Sequence, residues 1–292
     1  MKTAFVFPGQ GSQLVGMGKD LAEKYLDQAN AILGFDLKRI CFEGPEEELK
    51  KTEITQPAIL TVSIAAFEWL KSTGLPSPSA VAGHSLGEYS ALVAAGAIQF
   101  ADAVKIVHLR GKFMQEAVPL GTGSMMAVLG AERKTIEEIC QQIGEVWPAN
   151  YNTAGQIVIS GKKEKVEAAG EKLKAAGAKR VVPLQVSAPF HCPLMQPAAD
   201  KLKIELDKIT IQDAQIPVVA NVTARFVTRG SEIKELLVRQ VTSPVRWEDS
   251  IKYLVAEGYG NFIEVGPGKV LAGLIKSIER SAETKSYLEV NR

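Results

Sequence analysis

The sequence predicts an α/β protein in which a smaller βαββαβ unit interrupts a larger α/β body. Three observations predict it. A strand, the turn Gly83-His84-Ser85-Leu86-Gly87 and a helix follow one another in the first third of the chain. Residues 124–185 then change to a strand–helix–strand–strand–helix–strand rhythm, and the alternation of helices with strands resumes beyond them. The expected body is 1–122 together with 187–292, and the expected insert is 123–186. A chain of 292 residues suffices for one large domain carrying an inserted one. Its composition, 46% hydrophobic and 23% charged, is that of a folded globular protein and too apolar for disorder.

Each element has its own signal. Residues 1–8 carry one basic residue and a short apolar run ending at Pro8, which reads as a first strand rather than a signal peptide. Gly9-Gln10-Gly11-Ser12-Gln13 makes a loop. A helix is predicted over 19–33, with Leu21, Tyr25, Ala29 and Ile32 on one stripe. After the charged residues 46–53, Thr55-Gln56-Pro57 starts a second helix with proline near its first turn. That helix is apolar nearly all round from Ile59 to Trp69, so it is expected to be buried. The strand end 79–82 and the helix 88–95 flank the Ser85 turn, and a further helix spans 100–117 before the Gly121-Thr122-Gly123 hinge. In the insert, strands 125–129, 146–151, 156–161 and 180–184 and helices 134–143 and 163–176 follow the ferredoxin-like order. The body then continues with helix 198–206, strand 216–220, helices 231–241 and 247–257, and strand 262–265. The strand runs into Gly266-Pro267-Gly268, and helix 270–279 closes the fold.

The Gly83–Gly87 turn has the form Gly-x-Ser-x-Gly in the setting that form requires. A strand before it and a helix after it hold Ser85 in a strained conformation. The glycines allow strand and helix to approach, and Ser85 Oγ projects into a cleft beside a helix N-terminus. A bare match of this kind is often an ordinary turn; the flanking elements make Ser85 a candidate nucleophile. A serine hydroxyl needs a positioned base, and the chain contains three histidines. His84 adjoins Ser85, but its side chain diverges from that of its neighbour and packs behind the turn. His108 lies within a helix and reads as structural. His191 lies in Ser187-Ala188-Pro189-Phe190-His191-Cys192-Pro193, where prolines on both sides can aim an imidazole. It is the candidate base, with a partly exposed loop histidine as the alternative. No acid between 85 and 191 stands out as a third member, so a dyad oriented by a backbone carbonyl is expected.

Two further groups suit acyl chemistry. Arg110 is a cation embedded in a mostly apolar helical stretch. Its planar fork can hold a substrate carboxylate, each charge-assisted bond contributing roughly 1.5–3 kcal/mol. An internal salt bridge or a snorkelling surface side chain accounts for the spacing at least as well. The backbone N–H groups of Gln10 and Leu86 can serve as oxyanion donors, although Gln10 can equally be a turn residue.

Several function classes are disfavoured. A net charge of +1 provides no global field for nucleic acid or an anionic membrane. Charges such as Glu88 and Lys105 interrupt the longest apolar stretches, so no membrane span is expected. Cys41, Cys140 and Cys192 are odd in number and lack metal-ligand spacing, which fits reduced thiols in the cytoplasm. Gly9-x-Gly11 continues to Gly16 and misses the dinucleotide fingerprint, while Gly266-Pro267-Gly268-Lys269 lacks P-loop spacing. No His/Asp/Glu cluster suggests a metal.

Taken together, these segments resemble the malonyl-CoA:acyl carrier protein transacylase family. The matching pieces are Phe7-Pro8-Gly9-Gln10-Gly11-Ser12-Gln13, Gln56-Pro57-Ala58, Gly83-His84-Ser85-Leu86-Gly87-Glu88-Tyr89-Ser90 and Arg110-Gly111. They continue with Asn150-Tyr151-Asn152, Gln156-Ile157-Val158-Ile159-Ser160-Gly161, Phe190-His191, Pro244-Val245-Arg246-Trp247 and Glu264-Val265-Gly266-Pro267-Gly268. The resemblance covers nearly the whole chain and implies an α/β-hydrolase-like core with an inserted ferredoxin-like subdomain. It implies that Ser85 carries the acyl group, that His191 is its base, and that Arg110 pairs with the free malonyl carboxylate. Backbone N–H groups of Gln10 and Leu86 would form the oxyanion hole, and the histidine would be oriented by a backbone carbonyl rather than an acid. Gln240 matches the glutamine near the histidine in family sites, and Phe190 resembles the residue of malonyl-selective relatives.

The implied reaction is ping-pong transfer of malonyl from CoA to the phosphopantetheine thiol of an acyl carrier protein, in fatty acid biosynthesis. Malonyl-CoA enters as substrate, no cofactor is implied, and a cytoplasmic monomer is expected. A freestanding acyltransferase serving a polyketide synthase would carry the same motifs. A serine hydrolase or thioesterase is the alternative from another class, and a non-catalytic carrier-binding scaffold is disfavoured by the presence of both Ser85 and His191. Carrier proteins are acidic, and Lys162, Lys163, Lys165, Lys172, Lys174, Lys179 and Arg180 cluster on the insert; a solvated helical face is the ordinary explanation for them.

Overall fold

In the computed structural model, which describes residues 1–186 and 188–290, the first strand already shows how the body is layered. Side chains alternate across a strand. On β1 (Lys2–Phe7), Phe5 and Phe7 therefore face one hydrophobic cluster, and Ala4 and Val6 face another. Helices α1 (Glu23–Leu33), α2 (Leu37–Glu43), α3 (Glu46–Leu49) and α4 (Thr52–Ser72) follow, then β2 (Ala80–Gly83), α5 (Leu86–Ala94) and α6 (Phe100–Glu116). The next elements are β3 (Gly123–Leu129), α7 (Arg133–Ile143), β4 (Val146–Thr153), β5 (Gln156–Lys162), α8 (Lys163–Ala175) and β6 (Arg180–Pro183). The chain continues through α9 (Gln196–Leu206), β7 (Val218–Ala220), β8 (Arg225–Val227), α10 (Gly230–Thr242), α11 (Trp247–Ala256), β9 (Tyr259–Glu264), α12 (Val270–Ile278) and β10 (Glu283–Ser286).

These strands form two sheets. The larger has the order β10-β9-β1-β2-β7-β8, parallel except for the β7–β8 pair. Its central strands are buried on both faces, as a parallel sheet between helical layers requires. One face packs against α4, α5 and α6 through Phe5, Phe7 and Val81. The other packs against Trp247, Ile251 and Leu254 of α11 and Leu271 and Ile275 of α12. The smaller sheet is antiparallel, with the order β4-β5-β3-β6, the strand order of the split βαβ arrangement. With α7 and α8 it encloses a core of its own around Val128, Ile136, Ile159, Val166 and Leu173. The fold is thus α/β of the α/β-hydrolase-like kind. The expected boundary at Ser187 and the last two residues, 291 and 292, lie outside the described residues.

Several elements differ from the sequence expectation. The helix expected over 19–33 starts at Glu23, because Gly16 and Gly18, at φ 95° and 77°, keep the preceding segment in turns. The second helix starts at Thr52, so Pro57 stands inside it rather than in its first turn. Proline cannot donate to the carbonyl four residues back, which leaves the Glu53 carbonyl free. His108 Nδ1 lies 2.9 Å from that oxygen and supplies the missing donor. The short helices α2 and α3 and the strands β8 and β10 have no counterpart in the sequence reading. Beyond the helix expected to close the fold the chain adds β10, which pairs parallel to β9, and a short 3-10 turn over Tyr287–Glu289. Among the described residues no helix is long and apolar enough to cross a membrane.

Candidate active site

The site is built around the turn from β2 into α5. A Cβ on Gly83 would lie 1.9 Å from the Gly87 carbonyl carbon, and one on Gly87 would lie 2.0 Å from the Phe7 carbonyl oxygen. Only glycine permits this approach of strand, turn and helix. Between them Ser85 takes φ 52° and ψ −107°, a strained conformation for a residue with a side chain. Asn221, just beyond β7, clamps the turn from both sides. Its Oδ1 accepts the Ser85 N–H at 2.7 Å, and its Nδ2 donates to the Gly83 carbonyl at 2.6 Å.

Ser85 Oγ lies 2.7 Å from His191 Nε2. The other ring nitrogen, Nδ1, lies 2.9 Å from the backbone carbonyl of Gln240. A carbonyl only accepts, so Nδ1 carries the proton and Nε2 is left to accept from the serine hydroxyl. Among the described residues no carboxylate hydrogen-bonds to His191. His191 is buried, and burial, reinforced by the positive charge of Arg110, pulls its pKa down to about 3. It is therefore a neutral base near pH 7. The other two histidines are engaged elsewhere: His84 Nε2 lies 2.9 Å from Asn152 Oδ1, with its ring against Trp247, and His108 serves the carbonyl freed by Pro57.

Arg110 enters from α6 and is 1% exposed, so it is no snorkelling surface side chain. Among the described residues its hydrogen bonds go to neutral oxygens. Nη1 donates to Gln56 Oε1 at 2.7 Å, and Nη2 donates to Gln240 Oε1 at 2.9 Å and to Ser85 Oγ at 3.1 Å. Nε has no partner there. The guanidinium sits 5.5 Å from the centre of the Tyr89 ring. A buried cation without a contacting anion is costly, and this one stands beside the candidate nucleophile.

Gln10, Leu86 and Phe190 line the same cavity as Ser85, Arg110 and His191. Leu86 is the first residue of α5, so its N–H is among those a helix leaves unpaired. The Gly9 backbone brings the Gln10 loop against the turn, since a Cβ there would lie 2.4 Å from the His84 carbonyl oxygen. The Gln10 side chain reaches out to Thr52 Oγ1 at 3.4 Å. Cys192 is buried, its Sγ donates to the Pro189 carbonyl, and burial pushes the thiol up to about 11.

Three residues at the site escaped the sequence reading. Gln56 and Glu88 stand within segments that carry the family resemblance, but the sequence assigns neither a role at the site. Asn221 was not singled out at all. Its signal was a polar residue directly after an apolar strand, at the carboxyl end of a parallel sheet where binding residues gather. Glu88 is 2% exposed, and its Oε2 accepts from the Asn221 N–H at 3.1 Å and from Gln240 Nε2 at 2.7 Å. Burial pushes its pKa up to about 7.

Comparison with known proteins places the chain in a family. The family model described as an acyl transferase domain matches residues 4–290. The malonyl CoA-acyl carrier protein transacylase of Escherichia coli is 54% identical over 284 residues, covering 94% of this chain and 92% of that protein. The crystal structure of an acyl carrier protein S-malonyltransferase from Vibrio cholerae superposes with a TM-score of 0.95 at 46% identity, covering 98% of this chain and 96% of the other. A malonyl-transacylase solved in complex with a type II PKS acyl-carrier protein gives a TM-score of 0.94 at 46% identity, covering 98% and 95%. With Ser85, His191 and Arg110 gathered on one cavity of a matching fold, the chain belongs to the acyl transferase domain family.

Proposed function

We propose that this protein is a malonyl-CoA:acyl carrier protein transacylase working through a malonyl ester of Ser85. The observation that carries the reading is the buried Arg110 guanidinium, 3.1 Å from Ser85 Oγ and hydrogen-bonded only to neutral oxygens among the described residues. It offers a charge to the free carboxylate of an acyl group whose thioester end lies at the serine. An acetyl group would leave that charge without an anion, which disfavours it.

His191 takes the Ser85 proton as Oγ attacks the thioester carbonyl carbon. The N–H groups of Gln10 and Leu86 hold the resulting oxyanion, and losing one such donor costs roughly 10²–10³ in rate. Collapse expels the CoA thiolate, which takes the proton from His191. The phosphopantetheine thiol of the carrier then attacks the ester, again with His191 as base, and Ser85 is regenerated. The covalent step divides one difficult transfer into two easier ones. Phe190, beside the base, limits the room for a branched acyl group. Residues 1–122 and 187–292 form the catalytic body and 123–186 the insert, a division supported by the separate core of the smaller sheet. The complex of a relative with a polyketide carrier favours a carrier protein as acceptor and leaves room for either a fatty acid or a polyketide carrier.

Initial rates with malonyl-CoA and holo acyl carrier protein varied together test the reading. Parallel double-reciprocal lines, with malonyl carrier protein as product, are the expected result. Intersecting lines, or free malonate as the main product, would overturn it.

A further inference from the structure

Gln240 is joined to His191, Arg110, Ser85 and Glu88, and its Nε2 also lies 3.5 Å from Asn221 Oδ1. Its backbone carbonyl accepts from His191, its Oε1 accepts from Arg110 Nη2, and its Nε2 donates to the Ser85 carbonyl at 3.0 Å and to Glu88 Oε2 at 2.7 Å. An amide side chain could sit here in two orientations, related by exchange of oxygen and nitrogen. Flipped, it would aim its NH2 at the guanidinium donors and its oxygen at the Glu88 carboxylate and the Ser85 carbonyl. Donor would then face donor and acceptor face acceptor, with the Arg110, Gln240 and Glu88 side chains all buried. Glu88 therefore helps dictate which way Gln240 points. Its Oε2 is in turn held by the Asn221 backbone N–H, and Asn221 is the clamp on the Ser85 turn.

We propose that Glu88 is a positioning residue for acyl selection, holding the Gln240 amide so that Oε1 fixes the Arg110 guanidinium where the acyl carboxylate arrives. The inference rests on the transacylase reading and goes beyond it. Glu88 touches neither His191 nor Ser85 Oγ in the hydrogen-bond network, so it acts through Gln240 and is no displaced triad acid. What matters is an acceptor oxygen at the Oε2 position. Glutamine supplies one there, because the Asn221 N–H and the Gln240 NH2 both demand it.

The test is the ratio of kcat/KM for loading malonyl-CoA against acetyl-CoA, in wild type, Glu88→Ala and Glu88→Gln. The expected result is a fall in that ratio of about tenfold or more in E88A, and restoration to within about threefold of wild type in E88Q. In an Arg110→Ala background, E88A is expected to leave the ratio unchanged. Equal slowing of both substrates in E88A would mark a merely structural role and overturn the proposal. So would a loss of selectivity in E88Q as large as in E88A. If E88A does not fold, Glu88→Asp takes its place. It withdraws the carboxylate by one methylene and is expected to lower the ratio, and an unchanged ratio would overturn the proposal. Failure of the underlying reading shows separately, as a wild-type protein that forms no malonyl adduct at Ser85.

Discussion

In the proposed reading Ser85 is the nucleophile and His191 its base, and two features with different duties prepare the imidazole. The Gln240 carbonyl fixes the proton on Nδ1, and burial beside Arg110 keeps the ring neutral. A lowered pKa means that the base form persists as pH falls, so malonylation of Ser85 is expected to stay nearly flat from pH ~8 to pH ~5. Rapid-quench loading across that range checks it, and an acid limb centred at the ordinary histidine value of about 6.5 would contradict it. Stability carries opposite signs at two residues. The unfolded chain protonates His191 first, so that contribution is lost as pH falls below about 6.5. Folded Glu88, raised to about 7, holds its proton longer than the unfolded chain does, so its contribution is lost as pH rises from about 4.5 to 7. The melting temperature of E88Q relative to wild type is therefore expected to increase between pH 5 and pH 8; a constant difference would contradict the burial of that carboxylate.

Among the elements, the β2–α5 turn is held by backbone contacts that no side chain can share. Gly87→Ala places a Cβ against the Phe7 carbonyl and is expected to cost about 3 kcal/mol in urea unfolding. His108 stabilises α4 by donating to the carbonyl that Pro57 leaves free. His108→Ala is expected to lower stability by about 1 kcal/mol while leaving malonyl loading unchanged. A drop in loading at unchanged stability would contradict that role. The turn and most elements around it were legible because apolar runs and glycines mark them. The strand β10, Glu283-Thr284-Lys285-Ser286, was not, because an edge strand buries little and its residues are polar. Pro57 misled for a related reason: its cost inside a helix is offset by a histidine more than fifty residues away. At the site, Ser85, His191 and Arg110 were legible by residue type and setting. Asn221 and Glu88 work by hydrogen bonds across distant segments, which no local pattern announces.

At the scale of the molecule, the smaller sheet has a core of its own on one face and packs into the main core with the other, and residues of both sheets line one cavity. The parallel sheet presents Ser85, and Met125 and Asn150 of the smaller sheet line the same cavity. In the proposed reading a carrier protein delivers its thiol at that cavity, and the basic residues of the smaller unit offer one face to an acidic partner. Lys162 and Lys174 are tied to Glu145 and Glu171. Lys163 and Lys165 are therefore the better test. Their reversal to glutamate is expected to raise KM for holo carrier protein about tenfold at low salt, with malonyl-CoA loading unchanged. An unchanged KM would remove this face from the docking surface. The central claim, that a Ser85 ester selected by Arg110 carries the acyl group, is tested most directly by intact-mass spectrometry after mixing with malonyl-CoA or acetyl-CoA. The account predicts a malonyl adduct that is absent in Ser85→Ala, strongly reduced in Arg110→Ala and discharged by holo carrier protein. An adduct that survives in S85A, or acetyl loading equal to malonyl loading in the wild type, would contradict it.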